Sequence, residues 1–427
     1  MLKTTTSNRT FSSSPPFVFQ PRLIQIVLGL SAVMAAGEAS AGCNSNQLAA
    51  IGGLLSSSYQ FPGQDRPGGP LPEIPNDGIP DTPNGSPSDQ PSYNDAPCPS
   101  DIVSLTPDQV FGMGSMATRV NGGKLSLPSN YFNLNQGSRR GGGAGDFDFP
   151  ALNFWSKIDS DFGSHDTTSS QSGFEYDKQH FVFGADYRIK DNWVAGGSFA
   201  YSHNTAHFDA SRGETLNDNY TGMLYTSYHI TDAAHLEATA SYGGFSYETS
   251  RNITFGGDSS IAKAKPEGGQ YAFTWGGGYD FNFDALTVAP YARGEYSSLD
   301  IDSYSESGSP FAVRFGKQNI ESLISTLGVQ SSYAISLPWG VLIPQVRGEW
   351  HHQFFDGQRH IQAEFVSFSD SSFVMNSGGP SRDYFTVGGE VSTILPGGIS
   401  AFLAYESLQG YSSVNNNKFV LGARMEF

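Results

Sequence analysis

Histidines and carboxylates are the side chains that move protons and hold metals, so their spacing is the first thing to weigh. His351, His352 and His360 lie near one another in the chain, and three imidazoles form a ligand set that zinc accepts. His351 and His352 are adjacent, however, and neighbours on a strand point to opposite faces. They read as rim and loop histidines, and no metal is expected. His203, His207, Asp209 and Glu214 have the residue types of a proton-transfer set at a rim, but no spacing singles them out. The charges that do show a period are Asp186 with Arg188, Arg293 with Glu295, and Arg347 with Glu349. Members of each pair stand two apart, so on a strand they share a face. Such pairs suit a polar interior, where they line and hydrate the space or cradle a segment threaded through it. Neither a catalytic set nor a cofactor site is expected.

Strands are needed to position those charges, and the last stretch of the chain shows one. Phe419, Leu421, Ala423, Met425 and Phe427 alternate with Lys418, Val420, Gly422, Arg424 and Glu426. This period of two gives one apolar and one polar side. Lipid-facing and lumen-facing residues alternate in this way in outer-membrane barrels.

Composition agrees. Only 15% of the 427 residues are charged, aromatics make up 13%, and there are 50 glycines. Low charge with many Tyr, Phe and Gly suits a surface that meets lipid through aromatic girdles. After the first 40 residues no apolar run reaches 18, so no transmembrane helix is expected there. A net charge of −17 argues against nucleic acid and against anionic membrane surfaces as partners.

The N-terminal third divides by composition. Residues 1–41 have the form of an export signal, with Lys3, Arg9 and Arg22, an apolar core Leu23–Ala36, and a small-x-small site at Ala39-Ser40-Ala41. Gly42-Cys43 follows, but Ser40 stands where a lipoprotein signal takes a large aliphatic residue, so plain cleavage is expected. Residues 42–105 are rich in Pro, Gly, Asp and Ser and read as a disordered linker or short passenger. Cys43 and Cys98 both fall in it. After export they would form one disulfide, the alternative being two free thiols. Thr106, Pro107 and Gln109 open a helix over 106–122 that would stop at Asn121-Gly122-Gly123. Gly112 and Gly114 make that helix marginal in water, so it needs surroundings. Residues 123–150 form a Gly-rich linker.

From residue 151 to 427 the pattern becomes twelve alternating strands, the first over Phe154–Asp159 and the last over Lys418–Phe427. One repeat is visible, VAPYARGEY at 288–296 against LIPQVRGEW at 342–350. Connections alternate in length. Lys190–Asn192, Thr231–Ala234, Asn282–Ala285, Ser336–Gly340 and Pro396–Gly398 are short. Asn204–Asp218, Phe245–Gly269, Ser298–Ser322 and Asp356–Asp383 are long and read as polar. Short turns on one rim and long loops on the other are the habit of outer-membrane barrels. The expected fold is all-β: a twelve-stranded antiparallel transmembrane barrel with a disordered N-terminal segment and a short pore helix.

The stretches FVFGADYRIKDNWVAGGSFAYS (181–202), GGGYDFNFDALTVAPYARGEYSSLDIDSYSESG (276–308), LGVQSSYAISLPWGVLIPQVRGEWHHQF (327–354) and FVLGARMEF (419–427) resemble the translocator domain of monomeric autotransporters. The resemblance spans 151–427, about two-thirds of the chain. It implies a monomeric barrel in the outer membrane of a Gram-negative bacterium, with a helix or linker in the pore and an N-terminal passenger at the cell surface. It also implies lipid and lipopolysaccharide around the barrel, and periplasmic chaperones and the outer-membrane assembly machinery as partners. The closing residues Phe419, Leu421, Ala423, Met425 and Phe427 match the signal that machinery reads. The chain departs from the family upstream, where passengers are often hundreds of residues long. Gly257-Asp258-Ser259 is similar to the nucleophile motif of autotransporter lipases. It falls in a loop, and no Asp-x-x-His partner stands at the chain's end, so no lipase is expected.

Overall fold

A computed structural model describes residues 49–50, 152–168, 172–255, 258–357, 359–368, 371–376 and 379–426. The expected export signal, the two cysteines, the helix over 106–122, the linker over 123–150, Gly257 and Phe427 lie outside the described residues.

Twelve strands make the wall: β1 Leu152–His165, β2 Phe174–Lys190, β3 Trp193–Phe208, β4 Gly213–His229, β5 Ala234–Phe255, β6 Glu267–Tyr279, β7 Leu286–Ile301, β8 Gln318–Tyr333, β9 Gly340–Gln353, β10 Asp383–Leu395, β11 Ile399–Gln409 and β12 Val414–Glu426. Each pairs antiparallel with the next, and β1 pairs with β12, so the sheet closes on itself. Closure satisfies every strand's backbone without water, the requirement for crossing lipid with strands. At the seam the register runs from Asn153 opposite Glu426 to His165 opposite Val414, and sets Phe154 against Met425.

The period of two sorts the side chains. Phe181, Phe183, Tyr187 and Ile189 of β2 face outward and are exposed, as are Phe419, Leu421 and Met425 of β12. Leu224 at 71% and Val346 at 64% exposure make sense only against lipid. Aromatic residues mark the outer edge of this band and tie their polar tips to the neighbouring strand. Tyr201 donates to Asp218 (2.6 Å), Tyr296 to Glu321 (2.6 Å), Tyr405 to Asn417 (2.7 Å), and the Trp350 indole to Asp383 (3.1 Å). These rings are apolar at one end and wet at the other, the property that places aromatics at a membrane interface.

The abundant glycines have a packing use on this wall. The Trp155 ring lies across Gly184 of β2, where a Cβ would come within 2.5 Å of two ring atoms. Trp275 covers Gly294 of β7 at the same distance.

The short turns fall where alternation put them, but the long loops do not stay polar coil. Strand β5 continues to Phe255 and pairs with Asp258–Ala264, and β3 runs on to Phe208 before a tight turn into β4. Tyr304–Ser305, Val313–Phe315, His360–Phe365 and Ser372–Asn376 form a separate four-stranded sheet. One face of it buries Val313, Phe315, Ile361, Ala363, Phe365, Phe373 and Met375. Alternating apolar residues inside these loops drive that sheet, which caps the long-loop end.

Candidate functional site: the barrel lumen and its outer mouth

Along each strand the residues that alternate with the lipid face point into the lumen, and there the expected charges are found. Asp186 of β2 is buried and accepts from both Arg424 Nη atoms at 3.2 Å. Asn153 Nδ2 donates to it at 2.9 Å and the Tyr225 hydroxyl at 3.3 Å. Trp155 Nε1 in turn donates to the Tyr225 hydroxyl at 2.6 Å, so β1, β2, β4 and β12 share one network. Arg424 also donates to Glu426 at 3.0 Å. Arg188 lies on the same face as Asp186, half-buried toward the short-turn rim.

The two Arg-x-Glu repeats are brought together, though not as local pairs. Arg293 of β7 meets Glu237 of β5 at 3.5 Å and Glu349 of β9 at 3.8 Å. Glu349 also accepts from the Tyr291 hydroxyl at 2.7 Å. Arg347 pairs with Glu406 of β11. Glu295 is buried on the same lumen face.

A further group on β1, β2 and β12 was not singled out by spacing. Asp159 is fully buried, with Lys157 at 2.9 Å, His180 Nδ1 at 3.0 Å and Lys418 at 3.4 Å. Lys178 and Asp161 are buried beside it. The signal that could have found them is parity: Asn153, Trp155, Lys157, Asp159 and Asp161 occupy alternate positions of β1.

The histidines separate as adjacency requires. His351 points inward, 2.9 Å from the Thr326 hydroxyl and 3.1 Å from that of Thr386. His352 points outward to Asp383 at 2.8 Å. His203 bonds Asp218 at 2.9 Å and His207 approaches Glu214 at 3.8 Å, both on the exposed extension of the wall. Asp209 accepts from Thr167 at 3.4 Å. Among the described residues no group of three or more His, Cys, Asp or Glu could hold a metal ion. Ser259 sits in the Asp258–Ala264 strand, opposite Thr254.

Above the lipid band the lumen turns apolar. Phe245 and Tyr247 of β5, Leu299 and Ile301 of β7, and Ile320 of β8 occupy lumen-facing positions and pack with the cap's buried face. Burial pushes the Tyr247 phenol above its ordinary range. At the cluster's edge Arg251 donates to Glu306 Oε1 from Nε (3.0 Å) and to the Phe311 carbonyl (3.0 Å), while Val313 N–H donates to Glu306 Oε2 (2.9 Å). Ala50, remote in sequence, is fully buried in this same cluster, with Ala49 packed against it.

A family model described as the autotransporter beta-domain matches residues 154–406. An extracellular serine protease of Serratia marcescens is 27% identical over 238 residues, 54% of this chain and 22% of that protein. The chain thus spans about a fifth of that relative's length. Among solved structures, the translocator domain of the autotransporter NalP from Neisseria meningitidis superposes with a TM-score of 0.55 at 14% identity. It covers 75% of this chain and all of that domain. The beta domain of the Bordetella autotransporter BrkA gives 0.48 at 17% identity, over 65% of this chain and all of that one.

Proposed function

From the premise that the chain belongs to the autotransporter family through its β-domain, an outer-membrane barrel that secretes a passenger, we propose that its own N-terminal segment is the cargo. On this reading the segment passes through the lumen and is displayed at the cell surface. The observation that carries it is the position of Ala50. That residue is buried at the outer mouth, whereas Leu152 opens β1 at the opposite, short-turn rim, facing Tyr187 near the β2–β3 turn. On this reading the segment joining them runs through the lumen, which is the polar path inside a closed wall.

The lumen charges suit that passage. Asp186, Arg188, Arg293, Glu295, Arg347 and Glu349 give a threaded segment both signs of charge to lean on, and the candidate helix over 106–122 is the stretch that would use them. The proposed work is conveyance and display, with no catalytic step. The protease activity in the Serratia relative's name belongs to a protein of which this chain covers 22%.

An epitope inserted after Ser88 tests the reading. Antibody binding to it on intact cells is the expected result. An epitope reached only after the outer membrane is permeabilised would overturn the proposal. Deleting 106–122 should raise single-channel conductance in planar bilayers, and unchanged conductance would remove that helix from the pore.

A further inference from the structure

The apolar cluster at the mouth belongs neither to the lipid-facing band nor to the charged lumen. Its wall is made by Phe245, Tyr247, Leu299, Ile301 and Ile320, and its roof by the buried face of the cap sheet. The cap packs against the long-loop ends of β5, β7 and β8 and is itself anchored by the buried Arg251–Glu306 pair. A sheet this small has too little apolar area to fold alone. It gains that area from the barrel strands below and from a third contributor, the segment carrying Ala49 and Ala50.

That segment has the composition for the seat. Leu48-Ala49-Ala50-Ile51-Gly52-Gly53-Leu54-Leu55 is an uncharged apolar octet. It is bounded by Asn44-Ser45-Asn46-Gln47 on one side and Ser56-Ser57-Ser58 on the other. The polar flanks fit water at either side, and the small Ala49–Ala50 pair fits a site already filled by rings. Between residues 42 and 100 the octet is the longest run free of polar side chains.

We infer that the cluster under the cap is a docking site for the chain's own Leu48–Leu55 segment, which stays seated there through the Ala49–Ala50 pair. This rests on the reading that the N-terminal segment is exported, and it adds that the segment is retained by apolar contact. The Pro-rich stretch that follows is then the part left to meet solvent or a partner.

Photochemical crosslinking in the full-length chain, in outer membranes, tests this. A diazirine side chain is placed at position 373 in the cap roof, and at 375 in a second variant in case one position distorts the sheet. The Ser88 epitope is present throughout. Illumination should link the probe to the peptide containing Ala50, as located by mass spectrometry. Ala50→Asp should lower the yield at least tenfold, because it drives a carboxylate into an apolar site. Links confined to loop peptides from both probe positions, or a yield unchanged by Ala50→Asp, would overturn the docking site. An exposed epitope without the link removes the docking site and leaves export standing. A hidden epitope with the link keeps the seat at the mouth and removes the display of the Pro-rich stretch around Ser88.

Discussion

Replacing Asp186 by Asn removes a charge and almost no volume, so it isolates what the ion pair at the barrel seam contributes. The carboxylate is shut off from solvent and receives both Nη atoms of Arg424 at 3.2 Å. In Asp186→Asn an amide takes its place. The amide oxygen can still accept from Asn153 or Tyr225, but its NH2 would face a guanidinium that also has only donors. Breaking a buried pair by altering one partner typically costs about 3–5 kcal/mol. Arg424 keeps Glu426 at 3.0 Å, which places the expected loss near the low end, about 3 kcal/mol. Arg424→Gln relieves the mismatch, so the double variant should be about 2 kcal/mol more stable than the sum of the two single losses. The assay is reversible urea unfolding in phospholipid vesicles, followed by tryptophan fluorescence and by the mobility of unheated protein on gels. A loss below about 1 kcal/mol for Asp186→Asn, or additivity within about 0.5 kcal/mol, would refute the argument that this pair joins β2 to β12.

Two other outcomes follow from the same wall. Deleting Phe427 should impair outer-membrane assembly far more than any loop change, read as the fraction of folded, heat-modifiable barrel; normal assembly would dissociate the terminal residue from the signal. Gly184→Ala should destabilise the barrel by about 1–3 kcal/mol, because its Cβ would meet Trp155 at 2.5 Å while that ring is held by its bond to Tyr225. A neutral result in urea unfolding would mean the ring moves freely.

How much of this was legible in the chain depends on which interaction is asked about. Alternation is local, so it gave the twelve strands, the lipid face of Phe419, Leu421 and Met425, and the inward face of Asp186, Arg293 and Glu349. It also gave loop parity, because that needs only the distances between strands. It did not give partners. Arg293 looks as though it should pair with Glu295 two residues on, yet it reaches Glu237 and Glu349 on strands that register brings alongside. Asp186 and Arg424 stand 238 positions apart, and nothing short of closure predicts their meeting. The cap was missed for another reason. Ile361, Ala363 and Phe365 alternate as a wall strand does, but over only six residues and between polar flanks, so the segment read as polar loop. Its burial comes from other loops and from Ala50, which no local window contains.

The pattern of those long-range partners bears on what the lumen is for. Arg424 and Asp186 lie on β12 and β2, with β1 between them. Arg293 of β7 reaches β5 and β9, again with one strand between in each case, and Arg347 of β9 reaches Glu406 on β11. These pairs therefore join second neighbours along the wall, roughly 10 Å apart across two strand spacings, a reach that Arg spans and shorter side chains do not. Asp159 does the same work between first neighbours, with His180 on β2 and Lys418 on β12. Staples that run around the circumference stiffen the wall and balance its charge without bridging across the lumen. Bridges thrown across the lumen would give comparable stability but would have to break for every residue that passes. The proposed passage of the N-terminal segment fits the first arrangement, which Arg424–Asp186, Arg293–Glu237, Arg293–Glu349 and Arg347–Glu406 all follow.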